Sequence, residues 1–275
     1  MNKITLKDAV YGLAVADAVG VPYEFKERGT FNATDITGFG TYNQVPGTWS
    51  DDTSMTIATC YSIKIKNGID TQDLLYQFRK WMNDAHFTPH GKTFDIGNTT
   101  AVALRQGFGC TDEYSNGNGS LMRIIPLAFL PDISDDEIIR VSSVTHAHPI
   151  STEACVLYVK IAKSLLQGMN ITDAVKINVP EDSFYKKLRT IHSCNESEIK
   201  SSGYVVHSFE AAIWCLANTD NYRDCVLKAV NLGSDTDTVA AIAGALAGII
   251  YGYDGIPDKW KNTLCSKEII DKCLF

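Results

Sequence analysis

Residues 239–253 constrain this chain more than any other stretch: they carry no charge, are rich in Gly and Ala, and follow directly on Ser234-Asp235-Thr236-Asp237-Thr238. Such a run is too short and too rich in small side chains to span a bilayer. With no polar face to offer water, it reads as a helix buried on all sides. Burying the helix carries its first turn inside, so Asp235 and Asp237 are expected in the interior or on the floor of a cleft. A second aspartate stretch, Ser50-Asp51-Asp52-Thr53, opens another run of small and apolar residues, Met55-Thr56-Ile57-Ala58. Taken singly, either stretch has an ordinary explanation, because Ser and Asp are favoured N-caps and acidic groups in a first turn oppose the helix dipole favourably. Together they imply more. Carboxylates gathered in a cleft repel by roughly 4 kcal/mol per close pair at an effective dielectric of 20, and need protons or cations beside them.

The groups on offer are all oxygens: the carboxylates of Asp51, Asp52, Asp235 and Asp237 and the hydroxyls of Ser50 and Thr238. No His or Cys lies within either stretch, so hard cations, Mg2+ or Mn2+, suit the set better than zinc. Two such ions would match four carboxylates in charge.

The rest of the chain bounds the setting. With 275 residues, 45% of them hydrophobic, it can bury a large core as one large domain or two small ones. The net charge of -7 and the lack of any dense Lys/Arg block argue against nucleic acid or an anionic membrane as a direct partner. The eight cysteines are scattered without a CxxC pair and read as reduced thiols. Asp8 and Asp17 interrupt the Ala-rich N-terminal stretch, which argues against a signal peptide and for a cytoplasmic location. Helical periodicity runs through residues 5–19, 52–66, 71–81, 98–106, 121–130, 135–144, 152–166, 183–191, 207–216, 222–232 and 236–251, whereas alternating strand patterns are nearly absent. Residues 23–49 form a long loop with room for a short strand. The expectation is an all-α fold of about ten helices in a single compact domain spanning 1–275.

Three other features bear on chemistry. Glu24, between Tyr23 and Phe25 just past the first helix, is a carboxylate among apolar neighbours and so a candidate general acid or base, or else a solvated charge. Asn116-Gly117-Asn118-Gly119-Ser120 has the form of a turn that offers backbone N–H groups to a phosphate, or of a plain turn. In Thr145-His146-Ala147-His148-Pro149 the two histidines are spaced wrongly for one helical face, which favours a capping or ligand-contact role over metal binding. Asp95 precedes a helix it could simply cap.

These residues, in order, resemble the ADP-ribosylglycohydrolase family: Gly12-Leu13-Ala14-Val15-Ala16-Asp17-Ala18-Val19-Gly20, Pro22-Tyr23-Glu24, Ser50-Asp51-Asp52-Thr53, Asp95-Ile96-Gly97-Asn98-Thr99-Thr100, Gly117-Asn118-Gly119-Ser120-Leu121-Met122-Arg123, Thr145-His146 and Gly233-Ser234-Asp235-Thr236-Asp237-Thr238. The resemblance implies an all-α fold with a binuclear Mg2+ or Mn2+ centre at the bottom of a cleft, held by Ser50, Asp51, Asp52, Asp235, Asp237 and Thr238. It also implies hydrolysis of the C1″ glycosidic bond of an ADP-ribosylated protein or small acceptor, releasing ADP-ribose. Glu24 and Asp52 carry catalysis in this reading, Glu24 as general acid/base. Ser115, Asn116, Gly117, Asn118, Gly119 and Ser120 take the pyrophosphate and adjacent ribose, His146 lines the same groove, and Asp95 meets the leaving group. The family commonly has Thr at position 50 and Gly at position 234, so Ser234 adds a side chain beside the site. A monomer is expected. The alternatives are a binuclear phosphohydrolase, and a non-catalytic ADP-ribose-binding or crystallin-like protein; arginine, serine and O-acetyl linkages all stay open.

Overall fold

The computed structural model describes residues 3–275, and among them there are twelve α-helices and no sheet. In chain order the helices are α1 (Leu6–Gly20), α2 (Asp51–Lys66), α3 (Thr71–Asp84), α4 (Asn98–Gln106), α5 (Asp135–Ser142), α6 (Pro149–Leu166), α7 (Ile171–Asn178), α8 (Val205–Ala217), α9 (Tyr222–Asn231), α10 (Thr236–Tyr251), α11 (Asp258–Thr263) and α12 (Lys267–Cys273). No helix among the described residues is long and apolar enough to cross a membrane.

The centre of the molecule is the pair α1 and α10. Thr5 starts α1 by donating its backbone N–H and its hydroxyl to the Asp8 carboxylate, at 2.7 and 2.8 Å. Every α1 residue from Ala9 to Gly20 is buried, as is every α10 residue from Thr236 to Ile249. The two helices run antiparallel in backbone contact: a Cβ on Gly12 would lie 2.9 Å from the Gly248 Cα and closer still to the Gly244 carbonyl oxygen. Gly20, two turns further on, packs directly on the Asp237 backbone. Small residues at four-residue spacing on both helices therefore set how close they come and which ends meet. The acidic first turn of α10 is brought beside the exit of α1, which holds Asp17 and leads to Glu24.

Around this pair the sequence periodicity is largely realised. Asp70 caps α3 by accepting from the Gln72 and Asp73 amides, and α3 turns Leu74, Leu75, Phe78 and Trp81 inward, as their spacing predicts. Two expected helices differ. Residues 121–130 form turns followed by a 3-10 segment, Ile125–Phe129, because Pro126 has no N–H to donate and its ring would clash with the carbonyl one α-turn back. Residues 183–191 give a 3-10 segment, Lys186–Ser193, whose buried residues Leu188 and Ile191 are three apart, the repeat of that helix. The 23–49 loop contains no strand. Left-handed backbone at Phe39, Gly40, Asn43 and Gly47 turns it back on itself, leaving one isolated bridge between Phe39 and Gln44. Helices α7, α11 and α12 lie outside the sequence expectation; each has eight or fewer residues, about two turns, which leaves periodicity little to register, and none has the capping box that marks the equally short α5.

Candidate active site

Asp17 is the first residue to place, because it is wholly buried and organises a neighbouring stretch that carries three of the predicted groups, Ser50, Asp51 and Asp52. Its carboxylate accepts from the Ser50 amide at 3.0 and 3.1 Å, the Thr53 amide at 3.1 Å and the Thr53 hydroxyl at 2.6 Å. These bonds pin the start of α2 against α1. Ser50 also caps α2: its hydroxyl oxygen accepts from the Asp52 amide at 3.4 Å and its proton goes to Asp52 Oδ2 at 3.0 Å. From the other side the Thr238 hydroxyl reaches the same Asp52 oxygen at 3.3 Å. The two aspartate stretches therefore do meet. Asp235 occupies the N-cap position of α10 without capping it; its Oδ2 accepts instead from the Asn118 side chain at 2.7 Å.

The carboxylate oxygens fall into two groups, Asp17 with Asp52 and Asp237, and Glu24 with Asp235 and Asp237, each group within 4.8 Å. Asp237 is common to both. One oxygen each of Glu24 (Oε2), Asp52 (Oδ1) and Asp237 (Oδ2) is buried without a hydrogen-bond partner among the described residues. A buried, unpartnered carboxylate oxygen is costly, and three of them on residues of these two groups, linked through Asp237, match the oxygen-only coordination of a hard divalent cation. The donor set fits a metal.

The electrostatics agree. Burial, followed by the charge of Asp95, pushes the Glu24 carboxyl up to about 9. Burial raises Asp17 and Asp235 to about 6 against hydrogen bonds that pull the other way. Asp51, Asp52 and Asp237 are driven well above the carboxylate range, first by burial and then by neighbouring carboxylates, chiefly Asp95 for Asp51, Asp17 for Asp52 and Glu24 for Asp237. Without cations the cluster holds protons.

Above it opens a cavity of about 250 Å3. Glu24, Asp51, Asp95, Asp235 and Thr238 line its acidic side, and Gly117, Asn118, Gly119 and His146 line the rest with Thr100 and Met122. Ser50, Asp52 and Asp237 lie beneath its floor, almost fully buried. Asp95 does not cap α4, whose N-cap is Gly97; it sits in left-handed backbone (φ 56°), and burial raises its carboxyl while hydrogen bonds with Tyr42, Glu24 and Asp237 oppose the rise. A larger groove of about 520 Å3 along Asn32–Thr34 and the start of α9 holds none of these carboxylates.

Three of the predicted substrate-binding residues have their side chains engaged by other protein groups. Ser115 donates to Asp112 at 2.6 Å. Asn116 donates to the Glu113 carbonyl at 2.9 Å and accepts from Ser151 at 3.0 Å, while Ser120 is buried with its hydroxyl 3.0 Å from that of Ser142. The Asn118 amide is spent on the Gly203 carbonyl at 3.0 Å, so the open edge of this turn belongs to Gly117 and Gly119. The imidazole of His146 packs its Cε1–Nε2 edge against that edge: a Cβ on Gly119 would stand 2.9 Å from its Cε1. His148 caps α6, accepting from the Ile150 amide at 3.3 Å. Ser234 takes left-handed backbone (φ 65°), where Gly is the easier residue, and the turn still closes, Ser234 N–H to the Lys26 carbonyl at 2.8 Å and Phe25 N–H to the Ser234 carbonyl at 2.7 Å.

Residue-level reading missed Asp17, Tyr42 and Arg123 as site residues. Two of them carried a usable signal. Asp17 is the only charge in residues 9–23 and Arg123 the only charge in residues 114–131, each inside an apolar helix-like run where an unpaired charge has no structural excuse. Tyr42 had none, since it stands in a loop rich in aromatic and polar residues.

Buried, cation-seeking carboxylates at the end of the central antiparallel pair, beneath a ligand-sized cavity, define a helical protein with an acidic site that could hold metal. A family model for ADP-ribosylglycohydrolase matches residues 5–274, and the chain belongs to that family. It is 34% identical to the ADP-ribosylarginine hydrolase Tri1 of Serratia proteamaculans, over 96% of this chain and 76% of the relative. It is 30% identical to the ADP-ribosyl-dinitrogen reductase glycohydrolase of Rhodospirillum rubrum, over 94% of this chain and 90% of the relative. A solved structure titled ADP-ribosylglycohydrolase-related protein complex superposes with a TM-score of 0.80 at 28% identity, covering 97% of this chain and 94% of that one. The protein is accordingly an enzyme, a hydrolase of the glycosidic bond to ADP-ribose, and the phosphohydrolase and crystallin-like alternatives are not favoured.

Proposed function

We propose that this enzyme releases ADP-ribose from arginine side chains of modified proteins, with two Mg2+ or Mn2+ ions held by Ser50, Asp51, Asp52, Asp235, Asp237 and Thr238, and with Asp17 orienting the first stretch. The observation that carries the proposal is the pair of carboxylate groups sharing Asp237, with an orphaned buried oxygen on Glu24, Asp52 and Asp237. Bound ions would supply Lewis-acid polarisation and a template for the ribose hydroxyls.

The chain's own residues supply the rest. Glu24 reaches the cavity from the loop after α1, tied by its carbonyl to the Thr41 hydroxyl at 2.6 Å and flanked by the Phe25–Ser234 backbone bond. Its high proton affinity in the metal-free protein suits a group that exchanges a proton with the reacting water or the leaving nitrogen. In net terms water adds its oxygen to C1″, the bond from C1″ to the acceptor breaks, and the acceptor leaves with a proton. Asp95 and Glu24 make the mouth acidic, and Phe25, Tyr42 and Phe94 are in aromatic contact beside them, with centroids 6.4 Å (Phe25–Tyr42) and 5.1 Å (Tyr42–Phe94) apart. An acidic, aromatic mouth favours a planar cation such as guanidinium over a neutral serine hydroxyl. The Tri1 relatives support the same linkage. Gly117 and Gly119, with the neighbouring Ser115, Asn116, Asn118 and Ser120, shape the side that receives the pyrophosphate and ribose. A cytoplasmic monomer acting as one domain completes the proposal.

Matched arginine-linked and serine-linked ADP-ribosyl peptides, assayed with Mg2+ and with Mn2+, test it. Free ADP-ribose is expected from the arginine peptide, with EDTA abolishing turnover. Equal or faster release from the serine peptide would overturn the linkage, and turnover surviving both EDTA and Asp237→Ala would overturn the metal centre.

A further inference from the structure

Arg123 is a fully buried cation with no carboxylate partner among the described residues. Its guanidinium lies over the Phe78 ring, 4.4 Å from the centroid, and Nε and Nη1 have no hydrogen-bond acceptor. Burying a charge this way is expensive, and the polar contacts it does make run in one direction. Nη2 donates to the Val141 carbonyl at 3.3 Å and to the Thr145 hydroxyl at 2.8 Å, and the Thr145 Oγ1 is in turn 2.8 Å from His146 Nδ1.

The protons along this chain can be assigned. Arginine only donates, so Thr145 Oγ1 accepts from it, leaving the hydroxyl proton with His146 Nδ1 as its acceptor. In the opposite arrangement Nδ1–H would donate to Thr145 and strand the hydroxyl proton in the interior, a loss of about 1–3 kcal/mol. Nδ1 is therefore the acceptor, and the proton of the neutral ring sits on Nε2. Burial first and the Arg123 charge second depress the imidazole to about 3, so the ring is neutral at physiological pH. The backbone is held as well: His146 N–H donates to the Ser142 carbonyl at 3.0 Å and its carbonyl accepts from the Ser142 hydroxyl at 3.0 Å. The Cε1–Nε2 edge faces the cavity across Gly117 and Gly119, where a Cβ on Gly117 would stand 3.5 Å from Nε2.

We propose that Arg123 and Thr145 are positioning residues that hold His146 as the neutral Nε2–H tautomer and aim that N–H into the cavity as a fixed donor to an oxygen of bound ADP-ribose. The donor's target rests on the function proposed above; the tautomer does not. An imidazolium at this place would compete with cations for the nearby carboxylates, whereas a neutral donor binds an anionic oxygen without disturbing them. Arg123 supplies positive field from behind the ring while staying out of contact with the ligand.

Long-range proton–nitrogen correlation spectra of histidine-labelled, ligand-free protein read the tautomer directly. In the wild type, His146 Nε2 should appear protonated and Nδ1 bare. Thr145→Ser should preserve this signature, and Thr145→Val should lose it, with ADP-ribose binding by calorimetry about tenfold weaker, the loss of one hydrogen bond of about 1.4 kcal/mol. A wild-type His146 that is charged or protonated on Nδ1, or a Thr145→Val spectrum identical to wild type, would overturn the relay. Should Thr145→Val fail to fold, the wild-type and Thr145→Ser spectra still decide the tautomer. Absence of ADP-ribose binding by wild-type protein with the Nε2–H signature intact would refute the assigned target and the substrate reading, and leave the relay standing.

Discussion

Stripping the metal should invert the usual dependence of stability on pH. Glu24 is the group to follow, because its folded-state proton affinity is raised to about 9 from an ordinary 4.5, chiefly by burial and then by the Asp95 charge. Below about pH 4.5 the folded and unfolded chains both carry this proton, and it contributes nothing to the balance. From there up to about 9 the folded chain retains a proton that the unfolded chain has released, so stability is lost progressively as pH rises, and the loss is complete above 9. One retained proton corresponds to about 1.4 kcal/mol per pH unit, so the step from pH 5 to pH 7 costs about 3 kcal/mol, or roughly 6 °C in Tm for a chain of this size. Asp17 and Asp235, raised to about 6, add to the slope in its lower half. Glu24→Gln removes this contribution while keeping the shape. In EDTA, thermal melts followed by circular dichroism between pH 5 and pH 7 should therefore show wild type losing about 3 kcal/mol relative to Glu24→Gln. Saturating Mn2+ should flatten the wild-type curve, because cation binding displaces the same protons and adds about 2.7 kcal/mol at a hundredfold excess over Kd. Parallel curves for wild type and Glu24→Gln in EDTA would refute the reasoning, since they would mean that Glu24 titrates normally in the folded chain.

Three further outcomes follow from the packing. Asp17→Ala leaves the buried amides of Ser50 and Thr53 without their acceptor, at about 1–3 kcal/mol each, and should lower the urea midpoint accordingly. The gentler Asp17→Asn should fold but bind Mn2+ about 10- to 100-fold more weakly by calorimetry, the usual effect of losing a group that orients a ligand. Gly244→Ala places a Cβ 2.5 Å from the Gly12 carbonyl oxygen and closer still to the Ala16 Cβ, which forces α1 and α10 apart. Destabilisation of about 3 kcal/mol or more is expected, measured as a Tm fall of roughly 6 °C; a neutral result would mean that the pair can separate freely.

Much of the site was legible because it breaks the rules of an ordinary helical protein. Aspartates at the head of a run with no polar face have to be buried, and buried carboxylates have to be compensated; both steps need only residues 234–253. The helices themselves were legible where they are long. Residues 121–130 misled because their apolar character comes from a buried turn and a 3-10 segment, which share that composition with an α-helix, and only Pro126 distinguished them. The occupied side chains of Ser115, Asn116 and Ser120 were invisible for a different reason: a Gly-rich turn advertises open backbone, while Asp112 is a local partner of Ser115 and the partners of the other two, Ser151 and Ser142, become neighbours only through the fold.

The two aspartate stretches show why capping and ligand binding look alike in a sequence and separate in three dimensions. A cap and a metal ligand both require an oxygen at a helix start, so Ser50-Asp51-Asp52 satisfies either description, and Ser50 does cap α2 while facing the cluster. Asp235 stands at the same position of α10, and no side-chain bond caps that helix. Its first-turn amides are close to the Gly20 backbone and to Asp237, whose own carboxylate bonds the Thr238 amide at 2.9 Å with one oxygen and leaves the other bare. The difference originates in α1 and α10, where glycines at 12, 20, 244 and 248 let the backbones touch and set Asp237 against the end of α1. A bulkier residue at any of these positions would move the acidic turn away from Asp17 and Glu24, and the same aspartates would then be caps and nothing more.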